Sequence, residues 1–225
     1  MAAGFANIAF LIDPSQRKQN TERLLQRERI PFLESLPCVE SEDEVEIRLP
    51  RDVGIRIVCL FCVTGSAFER SVPAFKEYLG QYGLWQHLTS EEASFLKAEQ
   101  PTRKDVIRFT WRSEALYFLL WAVQRVDSLP LPRGQTETKR IVSQMPWVDE
   151  SPWPFIESLS LRSKSEILDA SDLLYRLHWA VRDVRLVGKE PPSGLQPGVV
   201  QEWHHAVNWL TMYNGEDWDD VSTDT

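Results

Sequence analysis

Residues 165–188 read SEILDASDLLYRLHWAVRDVRLVG, and residues 198–210 read GVVQEWHHAVNWL, with only KEPPSGLQP between them. In the first string Ile167, Ala170, Leu174, Leu177, Val181 and Val184 recur at steps of three and four, the signature of one face of an α-helix. Ser163 or Ser165 can cap it, and Gly188 followed by Pro191-Pro192 stops it, so the spacing predicts a helix over 162–187. In the second string Val200, Trp203, Val207 and Leu210 repeat the pattern, predicting a helix from Pro197-Gly198 to about Tyr213. Two long helices joined by a tight Pro/Gly turn commit the C-terminal third to a helical architecture.

Polar residues on these helices fall into register as well. Asp169, Asp172, Arg176, Trp179 and Asp183 share a second stripe of the first helix. Asp172 and Arg176 form an i,i+4 pair with the acid first, which stabilises an exposed helix by only ~0.2–0.5 kcal/mol. Acid, Arg and Trp on one stripe suggest a polar seam against another helix rather than a solvated face. On the second helix Glu202, His205 and Trp209 share one flank, and His204 and Asn208 the other. Glu202-x-x-His205 has the spacing of half a carboxylate-bridged di-metal site, but such a site needs a second copy and two more acids, and no other His follows an acid at that distance. A single metal held by His204, Asn208 and an Asp is conceivable on spacing that has no specificity. The expectation is therefore no metal and no cofactor.

A third helix is predicted over 102–126. Its apolar face carries Val106, Leu116, Leu120 and Val123, and beside it Trp111, Glu114, Phe118 and Trp121 make an aromatic stripe. A carboxylate at Glu114 loses hydration there and either finds a partner or rises in pKa. An ion pair with an Arg of another helix is favoured over a tuned general acid. The expectation is one polar cluster from three helices, comprising Glu114, Asp169, Asp172, Arg176, Glu202, His204 and Asn208, with Trp111, Trp179, Trp209 and Trp218 as aromatic neighbours.

Working outward, the first 14 residues form an apolar arm or short strand, and residues 15–225 a single helical domain. The fold class is mainly α, with that N-terminal segment as the one candidate for a small α+β element. Residues 15–29 have a helical bias; their basic residues interleave with Glu22 and Glu28 and read as a solvated face. Residues 31–50 are an acidic linker in which Val45, Ile47 and Leu49 alternate with charge, a candidate edge strand. Pro50 suits the first position of a helix over 51–68. Within it, Cys59-x-x-Cys62 has no second ligand pair, so the two thiols read as small buried hydrophobes. A short helix follows over 71–82. Thr89 and Glu92 form a capping box for another, and a further short helix is expected near 136–144. Trp147 and Trp153 lie in a Pro-rich stretch, where they either pack on the core or line a peptide groove. The acidic tail carries Trp218, which should fold back and bury.

With a net charge of −8 and nine Trp, the chain is acidic and Trp-rich. The charge excludes sequence-independent nucleic-acid binding and an anionic membrane surface. No apolar run approaches the ~20 residues of a membrane span. Three Cys, and no Lys or Arg ahead of the apolar N-terminal stretch, point to the cytoplasm. There is no Gly-rich phosphate loop, no GxSxG, no HExxH and no paired CxxC.

TWRSEALYFLLWAV at 110–123, LPLP at 129–132, EILDASDLLYRLHWAVRDVRLVG at 166–188, LQPGVVQEWHHAVNWL at 195–210 and WDDVSTDT at 218–225 together resemble the bacterial domain-of-unknown-function 4272 family. The resemblance runs from about Thr21 to Thr225. It implies a mostly helical cytoplasmic domain and supplies no activity. It also implies an Arg just before the histidine of the last helix, where this chain has Trp203.

Two readings of function remain. The favoured one is a non-enzymatic interaction or accessory protein, with a protein partner met through acidic surface and the polar cluster serving as structure. The other is a small-molecule-binding protein or enzyme, with Glu114 or His204 as acid/base and Arg176 anchoring an anionic group in a helix-lined pocket. An open cleft with an unpaired His204 or Glu114 would favour the second.

Overall fold

The computed structural model describes residues 12–69, 72–146, 148–186, 188 and 190–225. Among these are nine α-helices and no strand. Helix α1 is Pro14–Arg27, opened by the Asp13 carboxylate accepting from the backbone N–H groups of Ser15 and Gln16. The expected arm therefore ends before Pro14, and its residues 1–11 lie outside the described residues. Helix α2 is Pro50–Glu69, with Pro50 in the first turn where a missing N–H costs nothing. Helix α3 is Val72–Gln81. Helix α4 is Ser90–Lys97, with Thr89 and Glu92 closing the capping box.

Helix α5 is Arg103–Ala122, capped by Thr102. From Ser113 to Ala122 every side is buried, so α5 runs through the middle of the molecule. It stops four residues short of the expected end, and the chain turns through Gln124 at φ 63°. Helices α6 (Thr138–Val142) and α7 (Trp153–Glu157) are single turns in the Pro-rich stretch. Helix α8 is Lys164–Leu186, where the Ser163 hydroxyl accepts from the Glu166 N–H and the Glu166 carboxylate accepts from the Ser163 N–H. Helix α9 is Pro197–Leu210, ending earlier than expected because Met212 takes a left-handed φ of 51°.

The long helices pack side by side in the order α2, α5, α9, α8, with α1 outside α8 and with α3 and α7 on the far face of α2. One core fills the α2–α5–α9–α8 interior and a second lies between α2, α3 and α4. Cys59 and Cys62 sit in the second core, where burial pushes Cys59 up to about 11 and Cys62 well above the ordinary thiol range. They are inert small hydrophobes, as the lone CxxC predicts. Helices α5 and α9 approach closely because Gly198 lies flat on Trp111; a Cβ there would stand 2.5 Å from the indole ring.

The linker between α1 and α2 forms no strand. Its backbone is held by long basic side chains instead of a sheet partner. Lys18 donates to the carbonyls of Glu34 and Leu36, Lys164 to those of Glu42 and Val45, and Arg176 to that of Pro37. Arg48 anchors its far end on the carbonyls of Trp209 and Glu216. Alternation of apolar and charged residues at 45–49 predicts a strand, but a strand needs a neighbouring strand, and here the neighbours are helices.

Candidate ligand-binding cleft

The polar residues expected in one cluster are distributed over three places. On the outer side of α8, Arg176 and Asp172 are both fully buried and joined by two hydrogen bonds of 2.9 and 3.2 Å. Glu22 of α1 adds a longer ion pair at 3.8 Å. One turn earlier, buried Arg17 joins Asp169 at 2.8 Å and Glu42 of the linker at 3.3 Å. Asp172 and Arg176 therefore bind α8 to α1 and to the linker, not to α5 or α9. Trp179 is half-buried against the main core, and Asp183 is exposed.

Between α5 and α9 lie the two Glu residues. The Thr136 N–H and hydroxyl donate to Glu114 at 2.7 and 2.8 Å. Burial raises the Glu114 pKa and the Thr136 bonds oppose that rise. The Trp203 indole N–H lies near the same carboxylate, short of full hydrogen-bond geometry. Glu202, also raised by burial, is paired with Arg112 at 3.1 Å. Arg112 in turn stands over the buried Trp218 ring, 5.6 Å from its centre, with Arg56 at 5.1 Å from the same ring. His205 and Trp209 meet Trp218 edge to face. The tail folds back, as its single Trp predicts, and is held by aromatic and cation–π contacts.

The third place is open to solvent. His204 and Asn208, one turn apart on the other flank of α9, line a cleft of about 600 Å³. Its walls are the 37–46 stretch of the linker, Ser171 and Tyr175 of α8, the turn after α9, and Asp224 of the tail. His204 Nδ1 lies 2.9 Å from His178 Nδ1, with the rings almost perpendicular. One imidazole must donate and the other accept, so the accepting ring is neutral, and with both neutral the two carry opposite tautomers. Burial holds His178 down to about 4 and His204 down to about 3. The Asn208 amide N–H donates to the Ser222 carbonyl at 2.8 Å. Among the described residues no protein hydrogen bond is made by the Ser171 hydroxyl, His204 Nε2 or the Asn208 amide oxygen, and none of the three is sealed from solvent. Yet Ser171, His204 and Asn208 are only 7%, 2% and 6% exposed.

A family model described as a domain of unknown function, DUF4272, matches residues 17–221. The chain belongs to that family. No curated protein and no solved structure matches. The DUF4272 match spans all three polar groups and most of the cleft wall, including the linker between α1 and α2. Among the described residues of this DUF4272 chain, no three His, Cys, Asp or Glu side chains are placed to hold a metal ion. No described helix is long and apolar enough to cross a membrane.

Sequence pattern alone does not single out Ser171, His178, Tyr175 or the linker residues as parts of a site. His178 lies seven residues after Ser171, two helical turns on the same face of α8, which was the available signal. Nothing in the pattern tells that the linker would cross that face.

Proposed function

We propose that this DUF4272 protein is a non-catalytic binding protein that takes a small polar molecule into the cleft between the linker, α8 and α9. The observation that carries this reading is the floor of the cleft. Three polar atoms, on Ser171, His204 and Asn208, have no partner among the described residues although their side chains are more than nine-tenths buried. These atoms keep a little accessible surface, unlike the sealed Trp203 and His205 ring nitrogens, so they are free to bond water or a polar ligand in the cleft. The volume suits a metabolite-sized ligand.

The ion pairs are the frame of this site. Arg176, Lys164 and Arg17 hold down the linker that walls it. Glu114 is engaged with Thr136 and Arg176 with Asp172 and Pro37, and neither lines the cleft that His204 lines. That argues against an acid/base set made from Glu114, His204 and Arg176. The unpaired, buried Cys59 and Cys62 support a reducing, cytoplasmic setting.

Thermal unfolding against a metabolite panel tests the reading. A ligand at 100 times its dissociation constant adds ~2.7 kcal/mol, a rise of roughly 5–10 °C for a chain of this size. The rise should vanish in Asn208→Leu. A panel without any shift, or shifts indifferent to that substitution, would overturn the assignment.

A further inference from the structure

We propose that the ligand of this cleft is a small organic cation whose charged head carries N–H donors; this rests on the ligand-binding reading above. Three independent features point the same way. The first is the atom that the floor presents. A carbonyl oxygen can receive a hydrogen bond only from the amide nitrogen of Asn208, so the Ser222 carbonyl fixes which end of the amide faces the cleft. Ser222 is itself held, its N–H donating to Glu216 at 2.6 Å. The end left over is the amide oxygen, an acceptor. His204 can present a second acceptor one turn away, because its Nε2 is free of a proton whenever its Nδ1 donates to His178.

The second is charge. Glu40, Glu44, Glu46 and Asp224 stand around the cleft, and none of its lining residues is Lys or Arg. The cations at its margin are engaged: Arg176, 6.0 Å from the Tyr175 ring centre, is paired with Asp172, Lys164 is bonded to the Glu42 and Val45 carbonyls, and Arg182 donates to Thr225 at 3.0 Å. Glu44 is kept in its charged form by the Ser41 N–H and hydroxyl. Rim carboxylates about a low-dielectric cleft raise the local concentration of cations.

The third is the neutrality of the floor. An imidazolium there would repel a cation. Burial, with a smaller effect of Arg182 on His178, keeps the paired imidazoles uncharged at neutral pH, so the rings themselves offer lone pairs rather than positive charge. Tyr175 and Tyr213 supply aromatic walls of the kind that accept a cationic head.

The one exposed thiol gives the readout. Cys38 is exposed and lines the cleft, whereas Cys59 and Cys62 are buried with raised pKa values. Iodoacetamide should therefore alkylate the folded chain at Cys38 alone. Agmatine, which carries an ammonium and a guanidinium end, is the probe, with glucose and inorganic phosphate as neutral and anionic comparisons. The expected result is that agmatine slows Cys38 alkylation several-fold and raises the unfolding temperature, while glucose and phosphate do neither. Asn208→Leu should weaken agmatine about tenfold or more, the usual loss for a hydrogen bond to a charged group. Glu44→Gln with Glu46→Gln, both at exposed positions, should weaken it and flatten its dependence on salt.

Protection of Cys38 by glucose or phosphate but not by agmatine would overturn the cation and leave the binding reading standing. Absence of any protection or thermal shift across the metabolite panel would overturn both. Agmatine binding that leaves Cys38 reactive, or that ignores the rim substitutions, is adsorption to an acidic surface and overturns the proposal. Far-UV circular dichroism confirms that Asn208→Leu is folded; if it is not, the rim substitutions decide alone.

Discussion

Arg176 shows how a side chain of ordinary type becomes decisive through its setting. On a solvated helix its pair with Asp172 would contribute a few tenths of a kcal/mol. Here both groups are fully buried and the guanidinium also donates to the Pro37 carbonyl. Removing one charge leaves the other desolvated and alone. Arg176→Met should therefore cost about 3–5 kcal/mol in urea unfolding. Arg176→Met with Asp172→Leu should recover much of that loss, because no orphan charge remains. In both variants Cys38 should be alkylated faster, since the wall of the cleft has lost its anchor. An undisturbed Cys38 rate would show that the Pro37 contact does not hold the linker.

At the scale of elements, the cleft depends on how deeply α9 sits between α5 and α8. Gly198 at the start of α9 admits the Trp111 ring of α5 to a distance that no Cβ allows. Gly198→Ala raises helix propensity, and on an isolated helix it would stabilise. In this packing it forces Trp111 or the first turn of α9 to move. The expectation is a net loss of about 1–3 kcal/mol, the usual cost of overpacking. Combining it with Trp111→Leu, which clears the space, should bring the cost of the alanine itself close to zero in a double-mutant cycle of thermal unfolding. Additive effects of the two changes would mean that the contact does not limit the approach of the helices.

At the scale of the molecule, three of the four histidines are buried and neutral. His178 is held down to about 4, His204 to about 3, and His205 lower still, in each case chiefly by burial. In the unfolded chain each would titrate near the ordinary ~6.5. Between the folded and unfolded values the unfolded chain binds more protons, so stability is fullest above about pH 6.5 and falls as the pH drops. The slope approaches ~1.4 kcal/mol per pH unit for each histidine. Glu114 and Glu202, with raised pKa values, act in the opposite sense; their protonation near and above the usual carboxylate range relieves part of the loss in acid. The urea midpoint should be lower at pH 5.0 than at pH 7.5. His205→Phe, which removes a buried imidazole nitrogen without a partner, should flatten that dependence by roughly a third of the histidine contribution. A midpoint independent of pH over this range would contradict the burial of the three rings.

Much of this protein follows from its sequence alone. The long helices, their caps at Thr89 and Ser163, the start of α2 at Pro50, the inert CxxC and the return of Trp218 are all local matters of periodicity, capping and burial, which a linear pattern records. The same pattern places His204 and Asn208 on the opposite flank of α9 from Glu202, His205 and Trp209, and the two flanks do face different surroundings. The partners were decided only by the tertiary structure. Helical spacing states which residues share a face, not which element covers it. Asp172 and Arg176 lie about a third of a turn from the face of α8 that carries His178, and that rotation sends them to α1 and the linker instead of to Glu114. The linker is where local pattern fails most completely. It has no periodic structure of its own, and its course is set by Lys18, Lys164 and Arg176 reaching its carbonyls from helices that are distant in the chain. Because the linker supplies one wall, the cleft exists only when those contacts have formed.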